Sequence, residues 1–191
     1  MATTEEQANG ADALQLTPQT IFSGVGKKPV VLIVAGSDGH LSKLRKVADS
    51  TLKTMSLPNP HHQTKLAGLT GLHHEVQDWL FKQQWDKKTT VGEWADKVAG
   101  VFVGNIDELR KNKDFNTYML CVVCYGGRHR SLAVGWRLAT RIAAERPSWS
   151  VEFRQAPFSK LVPQAHKPLA SVLETDLVFR SVAKKPQETA L

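Results

Sequence analysis

An α/β fold, with a mostly parallel sheet flanked by helices, is what this 191-residue sequence predicts. Three observations carry that expectation. The runs VVLIVAG and YMLCVVC are apolar almost throughout, as suits parallel strands covered on both faces and not strands with one wet side. Strand-like segments alternate with long helix-like ones, the pattern of strand-helix-strand crossovers. The length suits one domain with its own core, and 41% hydrophobic and 23% charged residues lie near ordinary globular values.

Residues 1–28 are polar, with Glu5, Glu6 and Asp12 among them, and are expected to form a disordered tail. The folded unit is expected over residues 29–160. KKPVVLIVAGSDGH predicts a buried strand ending in a turn, and the segment from Lys43 to Ser56 mixes helical and extended signals around a second strand. LPNPHHQTKLAGLTGL, rich in proline and glycine, predicts a long structured loop, because proline denies donors to a helix interior. Val76, Trp79, Leu80 and Gln83 recur at helical spacing, and so do Trp94, Val98, Phe102, Ile106 and Leu109. YMLCVVC then predicts a central strand, LAVGWRLATRIAAERP a long helix stopped by Pro147, and WSVEFRQ a further strand. Residues 161–191 are expected to give one helix from Leu169 to Val182 and a polar end.

Several function classes drop out at this level. No stretch approaches the ~20 apolar residues needed to cross a bilayer, so no membrane partner is expected. The first twenty residues lack both an apolar signal core and the arginines of a transit peptide. The only cysteines, Cys121 and Cys124, sit in one strand and cannot staple distant segments, which points to a reducing, cytoplasmic setting. A formal net charge of +7 favours anionic partners without choosing among them.

The chemistry concentrates in CYGGRHRS, where the central strand hands over to its helix. Gly126 and Gly127 can take backbone angles closed to other residues and turn successive N–H groups toward one point, a nest for an anion. The first turn of the following helix adds partial positive charge, and Arg128, His129 and Arg130 supply donors suited to phosphate oxygens. A phosphate site follows from these residue types. The plainer alternative is a tight turn with solvated basic side chains.

A sharper reading uses the spacing of Cys124, five intervening residues, Arg130 and Ser131, which resembles the phosphate loop of cysteine-dependent phosphatases. There a thiolate attacks phosphorus, the arginine clamps the oxygens and the serine helps the thiolate leave. On that alternative Cys124 is the catalytic residue. Val123 stands where those enzymes usually carry histidine, and Asp114 is the candidate general acid. The structural alternative makes Cys121 and Cys124 small core residues.

Taken together, LPNPH at Leu57, Pro58, Asn59, Pro60 and His61, the turn Thr70, Gly71, Leu72, and CYGGRHRS some sixty residues later resemble the RapZ C-terminal domain family of RNase adapters. The likeness spans roughly Pro29 to Arg154. It implies a Rossmann-like, phosphofructokinase-like three-layer sandwich that binds a phosphorylated metabolite such as a hexosamine phosphate, and in bacteria small regulatory RNA, as a regulatory adapter that is usually a homo-oligomer. The resemblance implies that Gly126, Gly127, Arg128, His129, Arg130 and Ser131 bind the ligand, with Thr70, Gly71, Asn59 and His61 from the loop. No G-x-x-x-x-G-K-[ST] signature occurs in this sequence, so nucleotide hydrolysis is not implied. Lys53, Met55 and Tyr125 depart from the family's usual aspartate, arginine and threonine.

Neither a cofactor nor a metal is expected. The pairs His61–His62 and His73–His74 have no cysteine or acidic companions at ligand spacing. Asn59 suits a local bond to its own backbone, and His62, His73 and His74 suit solvent exposure. Trp79, Trp85, Trp94 and Trp136 fall at helical positions that fit core packing better than base stacking. Arg137, Arg141 and Arg146, with Lys82, Lys87 and Lys88, form basic runs that either track a phosphate backbone or are solvated helix faces.

Overall fold

The computed structural model describes residues 17–21, 30–112, 115, 117–156 and 177–179. Among the described residues six strands form one sheet: β1 (Thr17–Ile21), β2 (Val31–Ser37), β3 (Ser50–Lys53), β4 (Tyr118–Cys124), β5 (Val151–Gln155) and β6 (Leu177–Phe179), in the order β1-β5-β2-β4-β3-β6. The four inner strands are parallel, with Val31 opposite both Tyr118 and Val151 and Ser50 opposite Leu120. β1 and β6 pair antiparallel at the two edges. The mostly parallel sheet that the sequence predicts is present.

Among the described residues three α-helices follow from the apolar spacings: α1 (His74–Lys82), α2 (Val91–Leu109) and α3 (Arg130–Glu145). α2 begins with a reciprocal cap, in which the Glu93 amide donates to the Thr90 hydroxyl at 3.2 Å and the Thr90 amide donates to the Glu93 carboxylate at 2.7 Å. α3 stops just before Pro147. The helices pack on one face of the sheet, where Val31, Ile33, Leu52, Leu120, Val122 and Phe153 meet Leu80, Val98, Phe102, Leu132 and Leu138. The opposite face carries Val34 and Val123, covered by Leu41 and Ala156 with Leu44 and Met55. Among the described residues that second layer is the 38–48 segment, with one 3-10 turn at Leu44–Lys46 and no α-helix.

The tryptophans belong to the packing. Trp94 and Trp149 are buried, Trp85 lies 5.2 Å from Trp94, and Trp136 meets the Phe153 ring edge-on at 5.5 Å.

Two sequence expectations need correction. Residues 17–21, expected in the disordered tail, form the edge strand β1. Their register on β5 slips between Pro18 and Thr20, and an edge is where a sheet tolerates a residue without an N–H. Of the helix expected from Leu169 to Val182, only Leu177–Phe179 lies among the described residues, and that Leu-Val-Phe triplet is strand β6. Its residue types favour an extended backbone once β3 offers a free edge.

The winding order fixes where a ligand can sit. The chain from β2 to β3 passes β4 on the face of Leu41, whereas the chain from β4 to β5 passes β2 on the face of α3. Right-handed crossovers running in opposite directions must lie on opposite faces. The neighbours β2 and β4 therefore send their chains apart, leaving a crevice beyond Ser37 and Cys124, the place where ligands of open parallel sheets bind.

Candidate functional site

CYGGRHRS lines that crevice. β4 ends at Cys124, and the Asp38 amide at the end of β2 donates to the Cys124 carbonyl at 2.9 Å, joining the two strand ends. Gly127 is buried with φ +68°, and a Cβ there would stand 2.4 Å from the Ser37 nitrogen. Only glycine permits both that angle and that approach to β2. α3 starts three residues later, and its N-cap residue His129 provides no side-chain cap. The first-turn amides of a helix have no intrahelical acceptor, so this end presents donors and partial positive charge toward the crevice.

The basic side chains of the turn reach for the loop that precedes α1. Arg128 donates through Nε to the Leu69 carbonyl at 3.0 Å and through a terminal nitrogen to the Gly68 carbonyl. Arg130 donates through one terminal nitrogen to the carbonyls of Met55 and Leu57, the latter at 3.0 Å. The Gly71 amide donates to the Arg128 carbonyl at 2.8 Å. Gly71 is seated so closely that a Cβ would fall 2.0 Å from the His129 carbonyl oxygen and 2.5 Å from the Ala133 nitrogen. The two motifs, far apart in the sequence, are thus one structure, pinned mainly by bonds to main-chain oxygens.

Arg130 is 6% exposed. Among the described residues it has no carboxylate partner, and burial pushes its pKa down, opposed by the nearby Cys124 and Tyr125. A buried guanidinium without a counter-charge is costly, and two neutral carbonyls compensate it only in part. Cys124, 3% exposed, lies with Sγ 3.2 Å from the Ser131 hydroxyl, so the thiol, the serine and the arginine of the phosphatase-like spacing do converge. Cys121 faces elsewhere in the core, where burial pushes its thiol up to about 12.

His129 is buried, with its ring centroid 5.9 Å from that of His61. Among the described residues its enclosed Nε2 meets no well-aligned hydrogen-bond partner. Burial, then the charges of Arg128 and His61, hold its pKa below the usual value, opposed by the carbonyls of Ala67 and Leu69 that face the ring. His61 itself is exposed, and its amide donates to the Asn59 side chain at 3.2 Å, the local turn bond expected of Asn59. The Thr70 amide donates to Nδ1 of His73 at 3.0 Å and its hydroxyl lies 2.9 Å from the same nitrogen, so both residues are engaged within their own turn. His62 and His74 are exposed. Among the described residues no three histidine, cysteine or acidic side chains gather as a metal site.

The basic run on α3 serves the helix pair. Arg137 donates to both oxygens of Asp96 on α2, at 2.8 and 2.9 Å, Arg141 lies 3.3 Å from Asp96, and Arg146 pairs with Asp107 at 2.7 Å. Asp114, the candidate general acid, lies outside the described residues. The end of β2 was missed as part of the site: Ser37 and Asp38 border the glycine turn, and the only sequence signal was their place at a strand end. Two concave spaces among the described residues lie elsewhere. One of about 260 Å³ is lined by Ser42, Arg45, Lys46, Asp49, Thr51 and Lys53, and another of about 500 Å³ by Gln63, Lys65, Leu66, Glu75 and Trp79. The turn stands out by charge and backbone geometry, which decide anion binding more directly than volume does.

Residues 32–157 match the family model for the RapZ C-terminal domain. The chain belongs to this family. A nucleotide-binding protein of Streptomyces avermitilis is 36% identical over 124 residues, covering 65% of this chain and 39% of that protein. A nucleotide-binding protein of Streptomyces griseus is 32% identical over 124 residues, 65% of this chain and 35% of its own length. One from Pseudoalteromonas translucida is 29% identical over 138 residues, 69% of this chain and 45% of that protein. The matched stretch spans less than half of each of these three relatives. The family match covers the strand ends, the loop and the turn that build the crevice, and no helix among the described residues is long and apolar enough to cross a membrane.

Proposed function

We propose that the folded unit, residues 29–160, is a binding module that seats a phosphorylated small molecule, a sugar phosphate or a nucleotide, in the crevice beyond β2 and β4. The observation that carries this reading is Arg130, a buried guanidinium with no carboxylate partner among the described residues, at the uncapped start of a helix. In this reading the amides of Gly126 and Gly127 and the first turn of α3 receive the phosphate, Arg130 and Ser131 lie beneath it, and His129 with His61 forms one wall. Arg128, Gly71, Thr70 and Asn59 hold the loop that closes the site. A phosphate dianion would supply the counter-charge that Arg130 lacks among the described residues and would favour the protonated form of His129. The names of the relatives, nucleotide-binding proteins, agree with a phosphorylated ligand.

Family likeness alone supports the wider role: occupancy controlling a partner as a regulatory adapter, a hexosamine phosphate as ligand, RNA as a further partner, self-association and a cytoplasmic setting. The test is a thermal-shift panel of sugar phosphates and nucleotides on the wild type and on Arg130→Met, which keeps the volume and removes the charge. Ligand should raise the Tm of the wild type and leave that of the variant unmoved. No shift from any phosphorylated compound refutes the reading.

A second reading, the cysteine-dependent phosphatase, is favoured by the 3.2 Å contact between Cys124 Sγ and Ser131 Oγ beside Arg130. It requires turnover of an aryl phosphate that Cys124→Ser abolishes. Turnover that survives that substitution, or none from pH 5 to 8, removes it.

A further inference from the structure

Tyr125 is the residue that follows the last one of β4, at the mouth of the crevice and next to Gly126. It is 49% exposed, whereas the aromatic side chains of α2, β4 and β5 are packed into the core. At that place an exposed ring leaves an aromatic face open to a ligand in the crevice. Its phenol is near enough to the buried Arg130 guanidinium for the two to interact electrostatically.

We propose that Tyr125 is a stacking platform that makes the site select nucleotides over sugar phosphates: the base lies on the Tyr125 ring while the phosphate sits at the start of α3. The proposal rests on the phosphate-site reading above and adds the class of ligand to it. Two residues, Gly126 and Gly127, separate the platform from Arg128, and neither projects a side chain between base and phosphate. A ribose bridges that gap, with the half-exposed backbone at Gly126 beneath it. A hexose phosphate reaches the same phosphate donors and leaves the ring uncovered. Stacking one base on an aromatic side chain strengthens binding by roughly 5- to 100-fold, and any base has a face that qualifies.

The experiment compares inorganic phosphate, ribose 5-phosphate, glucosamine 6-phosphate and the four ribonucleoside 5′-monophosphates by calorimetry, on wild type, Tyr125→Phe and Tyr125→Ala. The exposed position makes both variants safe for folding, which circular dichroism checks. At least one nucleotide should bind roughly 5- to 100-fold tighter than ribose 5-phosphate. Tyr125→Phe should keep that ratio and Tyr125→Ala should reduce it to about one, with ribose 5-phosphate affinity itself unchanged. If the phosphates bind but no nucleotide exceeds ribose 5-phosphate, or if Tyr125→Ala preserves the ratio, the stacking proposal fails and the phosphate site stands. If none of the compounds binds, both fail.

Discussion

Replacing Gly71 by alanine adds one methyl group at the junction of the loop and α3, and the surroundings give it no room. Its Cβ would lie 2.0 Å from the His129 carbonyl oxygen and 2.5 Å from the Ala133 nitrogen, both backbone atoms of a helix start that cannot rotate aside. The loop must lift by about 1 Å to restore a normal contact. That movement takes with it the Gly71-to-Arg128 bond at 2.8 Å, the Arg128-to-Leu69 bond at 3.0 Å and the Arg128-to-Gly68 bond. At about 1 kcal/mol net for each, the loss comes to about 3 kcal/mol. A domain of ordinary stability survives this folded. Urea denaturation measures it: with a slope of about 2 kcal/mol per molar, the midpoint should drop by about 1.5 M. Gly68→Ala is the control, since Gly68 belongs to the same loop and a Cβ there meets nothing within 4 Å among the described residues. It should change stability by less than about 0.5 kcal/mol. Equal effects from the two substitutions would refute the idea that close backbone docking, and not loop composition, holds the motifs together.

Two further substitutions probe the frame and the site. Thr90→Ala removes the hydroxyl that caps α2 and should cost about 1 kcal/mol by the same denaturation assay, with Thr90→Ser close to wild type; an unchanged midpoint would show that the cap is not needed. His129 is held neutral because burial lowers its pKa from 6.5. The unfolded chain therefore takes up its proton near 6.5 and the folded chain only at lower pH, so acidification below that value favours unfolding, while above it this group has no effect on stability. The urea midpoint should fall between pH 7 and pH 5, and His129→Asn should lose part of that fall; identical pH profiles would contradict the assignment.

The inner sheet was legible because strands covered on both faces must be apolar at every position, and VVLIVAG and YMLCVVC say so plainly. The helices were legible because they bury one stripe against that sheet. β3 was ambiguous: its four residues STLK bury only Ser50 and Leu52, too short an alternation to separate from its helical surroundings. β1 and β6 were not legible, since an edge strand is specified as much by the free edge it meets as by its own residues. At the site, residue types announced a phosphate loop, but they did not announce that Arg128 and Arg130 are anchored to the loop. Their acceptors are carbonyls of Met55, Leu57, Gly68 and Leu69, and a carbonyl looks the same in every residue.

That anonymity has an evolutionary side. Positions 55, 57, 68 and 69 hold their arginines without any help from their own side chains, so the covering strap can be rewritten, residue after residue, and still be fastened. The two arginines have less freedom, because each must reach two carbonyl oxygens at once. Divergent members of this lineage should therefore vary the strap while keeping its rivets.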